Sequence, residues 1–194
     1  MATTAYAAGL ILLVVLGLCA GADRPAVNAA PATPATEVSH KVSVTDARQR
    51  LRSAYLAELG VREATGRNDG TRVEEYLHYC GLEPGYAWCA AFVSWCFGKA
   101  GYPQPRNPWS PALFPASRTV WTSGGHAGAI KQGDVFGIYY PTLNRIAHVG
   151  FVDRIDGDWL VTVEGNADNR VRRKRRPIGS LHTVADWLSA PGTR

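Results

Sequence analysis

The sequence lacks the short motifs that define several common classes of enzyme and metal protein. It contains no glycine-rich phosphate loop and no dinucleotide-binding fingerprint. Its four cysteines form no C-x-x-C pair, and the spacings of nine and seven residues between Cys80, Cys89 and Cys96 match no common zinc-binding pattern. We therefore predict that the chain uses no cofactor and has no metal site.

Low-complexity sequence is also lacking, since 20 glycines and 12 prolines among 194 residues fall below the roughly 25–30% typical of disordered chains. The excess of positive charge is small, with 21 basic against 16 acidic side chains. Six of the basic residues lie within residues 170–176, and without them the balance would be 15 basic against 16 acidic. The positive charge is therefore a local patch, which suits an anionic partner of any kind.

The amino terminus lacks charge, because no charged side chain precedes Asp23. The apolar run of residues 10–16 and the small residues 20–22 are typical of a signal peptide and its cleavage site. Cys19 stands where a lipoprotein signal places its lipidated cysteine, so anchoring to the membrane, a cleaved signal and an uncleaved anchor all stay open. Residues 1–22 thus predict export, to the periplasm, to the envelope as a lipoprotein or to the medium. Nucleic acid is accordingly not expected as a partner.

Residues 23–41 are predicted to be an extended linker, because alanine, proline and threonine predominate in them. The folded domain is expected to span residues 42–194. Helical periodicity and capping signals predict helices in the first part of this domain. These helices are assigned to residues 46–59, a short stretch after Thr71, residues 89–100, and residues 110 to about 120.

From residue 134 the hydrophobic period changes to two, which is typical of strands. Four strands are predicted, over residues 135–140, 145–154, 159–164 and 171–175. Helices that come first and strands that follow predict an α+β fold.

Cys89 lies at the predicted start of a helix, where the helix dipole stabilises a thiolate. The alternative is that Cys89 is a small buried hydrophobic residue, as many free cysteines are. Cys80 and Cys96 are interpreted either as a disulfide or as two buried thiols, which leaves Cys89 without a partner cysteine.

A thiol nucleophile needs a base, and His148 lies in the middle of an apolar strand, with Gly150 leaving room beside its ring. The alternative is a core histidine with a structural role. Glu164 and Asn166 end the next strand at a spacing of two and therefore share one face. Either could orient the imidazole.

The turn between these two strands decides whether Glu164 can reach His148. A two-residue turn at residues 156–157 would pair Glu164 with Val149, which lies on the face opposite to His148. A three-residue loop at residues 155–157, with Gly157 left-handed, would put Glu164 directly opposite His148 and Asn166 on the diagonal. We predict the three-residue loop or another odd-numbered loop.

Taken together, these segments resemble the CHAP family, the bacterial cysteine, histidine-dependent amidohydrolase/peptidase domains, over roughly residues 46–187. The likeness rests on the order and spacing of several short motifs. They are Trp88-Cys89-Ala90-Ala91-Phe92-Val93-Ser94-Trp95, Gly133-Asp134-Val135, His148-Val149-Gly150 and Glu164-Gly165-Asn166, with Thr65-Gly66-Arg67-Asn68-Asp69-Gly70 and Val73-Glu74-Glu75-Tyr76-Leu77 upstream.

The resemblance implies a papain-like α+β fold, with N-terminal helices on an antiparallel sheet, that cleaves amide bonds in peptidoglycan. It implies that Cys89 is the nucleophile, at a helix N-terminus, and that His148 is the general base and then acid. Glu164 would hold the imidazole, and Asn166 would be a fourth polar residue that supports the site. Some members of the family carry an Asp-rich calcium site, but this chain has only Asn68-Asp69 there, so calcium is not predicted.

Peptidoglycan is therefore the expected partner. We expect the chain to be a monomer. Trp88 and Tyr140 are predicted to line the substrate groove. The bond that is cut stays open between an N-acetylmuramoyl-L-alanine amidase and a peptide endopeptidase. A papain-like acyltransferase, a protein-directed toxin and a catalytically silent wall-binding module are the alternatives.

Overall fold

The computed structural model describes residues 43–190. The predicted signal peptide of residues 1–22, with Cys19, and the predicted linker of residues 23–41 lie outside the described residues. Within residues 43–190, no helix is both long and apolar enough to cross a membrane.

The described residues begin with three α-helices, which are α1 (Val44–Ala57), α2 (Thr71–Tyr79) and α3 (Cys89–Lys99). Ser43 caps α1, because its side chain accepts a hydrogen bond from the Asp46 amide at 3.2 Å. Helix α1 therefore begins two residues before its predicted start. Helix α3 is buried from Cys89 through Phe97, so the predicted central buried helix is confirmed.

The described residues also form one sheet of six antiparallel strands in the order β1-β6-β2-β3-β4-β5. The strands are β1 (Thr119–Thr122), β2 (Val135–Tyr140), β3 (Arg145–Asp156), β4 (Trp159–Glu164), β5 (Arg172–Pro177) and β6 (Thr183–Ala185). The predicted α+β class is confirmed. The helix predicted from residue 110 to about 120 is wrong, since Ser110–Leu113 forms only a 3-10 turn and Thr119–Thr122 pairs with β6 instead.

The main core lies between α3 and the sheet. Phe151 of β3 packs edge-to-face against Phe92 and at a tilt against Phe97 of α3, with ring centroids 6.0 and 5.8 Å away. A second, smaller core includes Phe136 and Leu160. Their side chains lie on the other face of their strands from the side chains that enter the main core. The first core fixes α3 against β3, the strand that carries His148.

The hairpin between β3 and β4 closes with a two-residue turn, so the prediction of a three-residue loop is wrong. Asp156 pairs with Trp159, and only Gly157 and Asp158 lie between them. Gly157 is left-handed, with φ of 60° at the first central position, where a two-residue hairpin turn favours glycine. The turn is one residue further along the chain than the two-residue alternative considered above.

A β-bulge in β3 restores the face on which Glu164 was predicted. The pairing of β3 with β4 shifts by one residue at Asp153, which has no partner of its own in β4. An extra residue in one strand moves every residue beyond it to the other face. Glu164 and His148 consequently share one face of the sheet.

Asp153 is held in the bulge by α1. The side chain is fully buried, and its Oδ1 accepts hydrogen bonds from Nε of Arg52 at 2.9 Å and from the Tyr55 hydroxyl at 3.1 Å. Arg173 of β5 lies 3.5 Å from Oδ2, and the Gln132 side chain donates to the Asp153 carbonyl at 3.1 Å. A buried carboxylate is tolerated only with such partners. The packing of α1 on the sheet therefore fixes the bulge.

Candidate active site

Cys89 is the first residue of α3 and lies at the wall of a cavity. Its thiol interacts with the ring of His148, with the backbone amide of Val149 and with the Ser110 hydroxyl, whose Oγ is 3.6 Å from Sγ. The first amides of a helix have no partner within the helix and carry the positive end of its dipole. All of these groups favour the thiolate over the thiol.

The thiol and the imidazole change each other's charge state. Burial raises the pKa of Cys89, but the hydrogen bond with His148 and its positive charge outweigh burial, so the pKa lies below the ordinary 9.0. Burial also lowers the pKa of His148, but hydrogen bonds with Cys89 and Glu164 outweigh it and raise that pKa to about 9. The two shifts describe one thiolate–imidazolium pair.

Glu164 is fully buried, and its carboxylate anchors the other side of the imidazole. Oε2 lies 2.8 Å from Nε2 of His148, which leaves Nδ1 for the Cys89 thiol. Arg176 binds both oxygens through Nε and Nη2 at 2.6 and 2.7 Å, and the Thr162 hydroxyl donates to Oε1 at 2.5 Å. Burial raises the pKa of Glu164, but Arg176 and His148 lower it to about 2. The carboxylate is therefore ionised and held in one orientation.

Gly150 makes the contact between Glu164 and His148 possible. A Cβ at this position would lie 2.9 Å from Cγ of Glu164 and 2.9 Å from the Val163 carbonyl. Any larger residue would push the Glu164 side chain away from the imidazole. The glycine noted in the sequence thus makes room for Glu164, rather than only for the imidazole.

Asn166 lies near these residues, but its side chain binds elsewhere. It is left-handed, with φ of 53°, and its Nδ2 donates to Oδ1 of Asn68 at 3.1 Å. Asn68 donates in turn to the Gly85 carbonyl at 3.2 Å, in the segment that leads into α3. Asn166 therefore links the end of β4 to the approach to Cys89 and does not orient the imidazole.

The candidate disulfide is not formed, since Cys80, Cys89 and Cys96 are all free thiols. Cys80 interacts with Ser94 of α3, whereas Cys96 is on the side of α3 that faces Glu58. Two residues along a helix point in directions about 200° apart. The two sulfurs are therefore directed to different sides of α3.

The prediction that Trp88 binds substrate is wrong. Its side chain is fully buried, and Nε1 donates to Oε1 of Glu63 at 2.9 Å. Tyr140, the second predicted groove residue, is 42% exposed at the end of β2 and is not part of the cavity wall.

The cavity beside Cys89 has a volume of about 290 Å³. Its walls come from Leu82, Tyr86, Ala87, Cys89, Pro108, Trp109, Ser110, Arg145 and Ala147.

Ser110 and Arg176 touch the predicted site residues but were not predicted to belong to the site. Ser110 followed by Pro111 indicated only a helix start, and Arg176 belongs to a basic run that is typical of a solvated strand. The alternation of β5 gave a weak signal, because it puts Arg176 on the same face as Arg172, whose partner in β4 is Glu164.

Within residues 43–190, no group of three or more His, Cys, Asp or Glu side chains is arranged to hold a metal ion.

Comparison with known protein families identifies the segment that holds these residues. The family model of the CHAP domain matches residues 81–166. Residues 81–166 are a CHAP domain. The matched segment contains Cys89, His148, Glu164 and Asn166 and ends just after β4. No curated protein sequence matches the chain.

Two solved structures are similar to this chain. One is the resuscitation promoting factor interacting protein RipA in a mutant form, with 13% identity and a TM-score of 0.43 over 74% of this chain. The other is Ly7917 with the hydrolyzing product of MDP, with 16% identity and a TM-score of 0.43 over 76% of this chain. The match spans 63% and 64% of those two chains, which is less than two thirds of their length.

Proposed function

We propose that this CHAP domain is a peptidoglycan hydrolase that cleaves an amide bond through a thioester on Cys89, and that the chain acts after export. The observation that carries the proposal is the line of interacting side chains from Cys89 through His148 to Glu164, which begins at the wall of a cavity. A nucleophile, a base and a group that orients the base are the three parts that acyl transfer requires. The predicted signal in residues 1–22 supports export.

In the first step, the Cys89 thiolate attacks the carbonyl carbon of the substrate amide. The Cys89 backbone amide, at the positive end of α3, would donate a hydrogen bond to the oxygen that becomes negative. The C–N bond then breaks while the His148 imidazolium gives its proton to the leaving nitrogen. The products of this step are a free amine and a thioester on Cys89, with His148 neutral.

In the second step, water enters the position that the amine has left. Neutral His148 takes a proton from the water, whose oxygen attacks the thioester carbonyl. The C–S bond breaks, the substrate leaves with a new carboxyl group, and the thiolate–imidazolium pair is restored. Glu164 stays ionised throughout, because Arg176 and Thr162 hold its oxygens.

The experiment that tests this proposal is the digestion of purified sacculi by the wild-type chain, with products identified by mass spectrometry. New lactyl ends on muramic acid would indicate an amidase, and new stem-peptide termini would indicate an endopeptidase. Cys89→Ala should release no products, whereas the matched Cys96→Ala should release them at nearly the wild-type rate. Products that retain an added acyl acceptor would indicate an acyltransferase instead.

Binding to sacculi with no soluble product from the wild-type chain would contradict the proposal and indicate a silent wall-binding module. Equal product release by wild type and Cys89→Ala would contradict the role of the thiol.

A further inference from the structure

The cavity beside Cys89 has one basic side chain in its wall. Apart from Cys89 itself, its other lining residues are neutral, and two of them are exposed aromatics, Tyr86 at 56% and Trp109 at 51%. Arg145, at the start of β3, supplies the positive charge. A ligand that occupies this cavity therefore lies beside a guanidinium group and two aromatic rings.

Arg145 is held in place without a carboxylate. Its guanidinium carbon lies 4.4 Å from the ring centroid of Trp109, and Nη1 donates to the Ile146 carbonyl at 3.2 Å. Stacking on an aromatic face positions a guanidinium while leaving its edge free to donate hydrogen bonds. Most of the five N–H groups of Arg145 are thus available to a ligand.

The basic strand β5 differs from Arg145 in how its charges are paired. Each of the five basic residues from Arg172 to Arg176 forms an ion pair with a carboxylate, supplied by Asp153, Asp156, Glu164 or Asp168. No carboxylate in residues 43–190 comes within 4.0 Å of a nitrogen of the Arg145 side chain. Each basic residue of β5 therefore has a carboxylate partner, whereas Arg145 has none among residues 43–190.

The four charged groups of the site, described above, do not compensate the charge of Arg145 either. The Cys89 thiolate and the His148 imidazolium cancel each other, as do Glu164 and Arg176. Arg145 therefore adds one net positive charge to a partly enclosed cavity, where charge interactions are stronger than in bulk water.

We infer that Arg145 forms a subsite for a carboxylate of the substrate, within about one residue of the amide that is cut, because Arg145 and Cys89 line the same cavity. This inference rests on the proposed function. The substrate class that it names is a stem peptide with a free carboxylate next to the cleaved bond, in preference to the same peptide with a carboxamide there. Trp109 and Tyr86 would contact the apolar part of that residue.

The test compares two synthetic muropeptides that differ only in carrying a carboxylate or a carboxamide at this residue. For the wild-type chain we expect kcat/KM to be about ten- to a hundredfold higher for the carboxylate, the range of one charge-assisted hydrogen bond. Arg145→Gln should abolish that ratio by raising KM for the carboxylate peptide, with kcat nearly unchanged. Arg145→Lys should retain part of it.

Arg154→Gln is the matched control, since Arg154 is an exposed arginine on the same strand and outside the cavity. It should leave the ratio at the wild-type value. Equal wild-type kcat/KM for the two peptides would overturn the inference. So would an equal loss on both peptides in Arg145→Gln, because that result indicates a purely structural role.

Binding of the same two peptides to the Cys89→Ala variant, measured by calorimetry, separates this inference from the proposed function. Tighter binding of the carboxylate peptide, lost on adding Arg145→Gln, would support the subsite even if no hydrolysis occurs. Hydrolysis by the wild type without any preference in binding would support the proposed function and overturn the subsite.

Discussion

Helix α3 carries two cysteines in different surroundings, Cys89 at its first residue and Cys96 in its interior. Both are buried, with Cys89 5% exposed and Cys96 fully buried. Burial raises the pKa of each thiol, and the nearby Glu58 carboxylate raises that of Cys96 further, well above its ordinary value. At Cys89, His148 reverses the effect of burial.

Burial by itself therefore makes a thiol inert, and the partner at the helix N-terminus decides its chemistry. Cys89 has an imidazole, a hydroxyl and a backbone amide around its sulfur. Cys96 has the aromatic core and a carboxylate, neither of which stabilises a thiolate. Four experiments test this contrast between the two cysteines and the groups that cause it.

The largest expected effect is on catalysis. Cys89→Ala should lower the rate of peptidoglycan hydrolysis at least about a thousandfold, because it removes the nucleophile. Cys96→Ala should change that rate less than about threefold and lower the free energy of unfolding by about 1 kcal/mol, the cost of a small core truncation. Release of soluble fragments and urea unfolding measure the two effects. The contrast fails if Cys96→Ala inactivates a chain that is still folded.

The second effect is on alkylation of the native protein. Iodoacetamide should modify Cys89 about a hundredfold faster than Cys96, because only Cys89 is both a thiolate and at the wall of a cavity. Cys80 should also react slowly, since burial raises its pKa. Timed quenching and mass spectrometry of the cysteine peptides give the three rates. Comparable rates at Cys89 and Cys96 would show that His148 does not activate the thiol.

The third effect concerns the pH dependence of activity. The thiolate–imidazolium pair exists above the pKa of Cys89 and below that of His148, which is about 9. Glu164→Gln removes a negative charge that raises the pKa of His148, so the alkaline limb of the kcat/KM profile should move to lower pH. We expect a loss of about ten- to a hundredfold at the optimum.

Thr162→Val is the matched variant for this experiment, because it removes a neutral donor to Glu164 and leaves the charge in place. Its alkaline limb should stay near that of the wild type. An unshifted limb in Glu164→Gln would mean that the carboxylate does not act through His148.

The smallest effect is on stability in acid. Glu164, whose pKa of about 2 lies below the ordinary 4.5, stabilises the fold above pH 4.5, and this contribution is lost as the pH falls toward 2. Arg176→Gln should raise the pKa of Glu164 and shift acid unfolding, followed by circular dichroism, to higher pH. The expected cost at neutral pH is about 1–3 kcal/mol, the value of a hydrogen bond to a buried charge.

Arg175→Gln is the control, since Arg175 is an exposed neighbour paired with Asp156 on the surface. It should cost less than about 1 kcal/mol and leave the acid transition in place. Equal effects of the two variants would mean that Arg176 has no special relation to Glu164.

Much of the fold could be predicted because its signals are local. The buried run of α3 and the alternation of β2, β3 and β4 lie within single segments, so periodicity finds them. Strands β1 and β6 were missed because each is short and pairs with a distant part of the chain, as Thr122 does with Thr183. Such pairing depends on the assembled sheet and not on either segment alone.

The candidate site divides in the same way. Cys89 and His148 could be identified from their own segments, and Glu164 was placed on the right face although the loop was wrong. The face depends on the bulge at Asp153, which is held by contacts with α1 about a hundred residues earlier in the chain. Arg176 reaches Glu164 from the neighbouring strand β5, and Ser110 approaches Cys89 from a separate turn, so each contact depends on pairing or packing between distinct segments.

The bulge also determines when the site can form during folding. Arg52 and Tyr55 of α1 bind Oδ1 of Asp153 in the bulge, and a β3–β4 hairpin without the bulge would turn Glu164 away from His148. We therefore expect the base and its carboxylate partner to meet only once α1 has docked on the sheet. A partly folded chain can hold a β3–β4 hairpin in which Glu164 does not support the His148 imidazolium, so we expect full reactivity of the Cys89 thiol only in the finished domain.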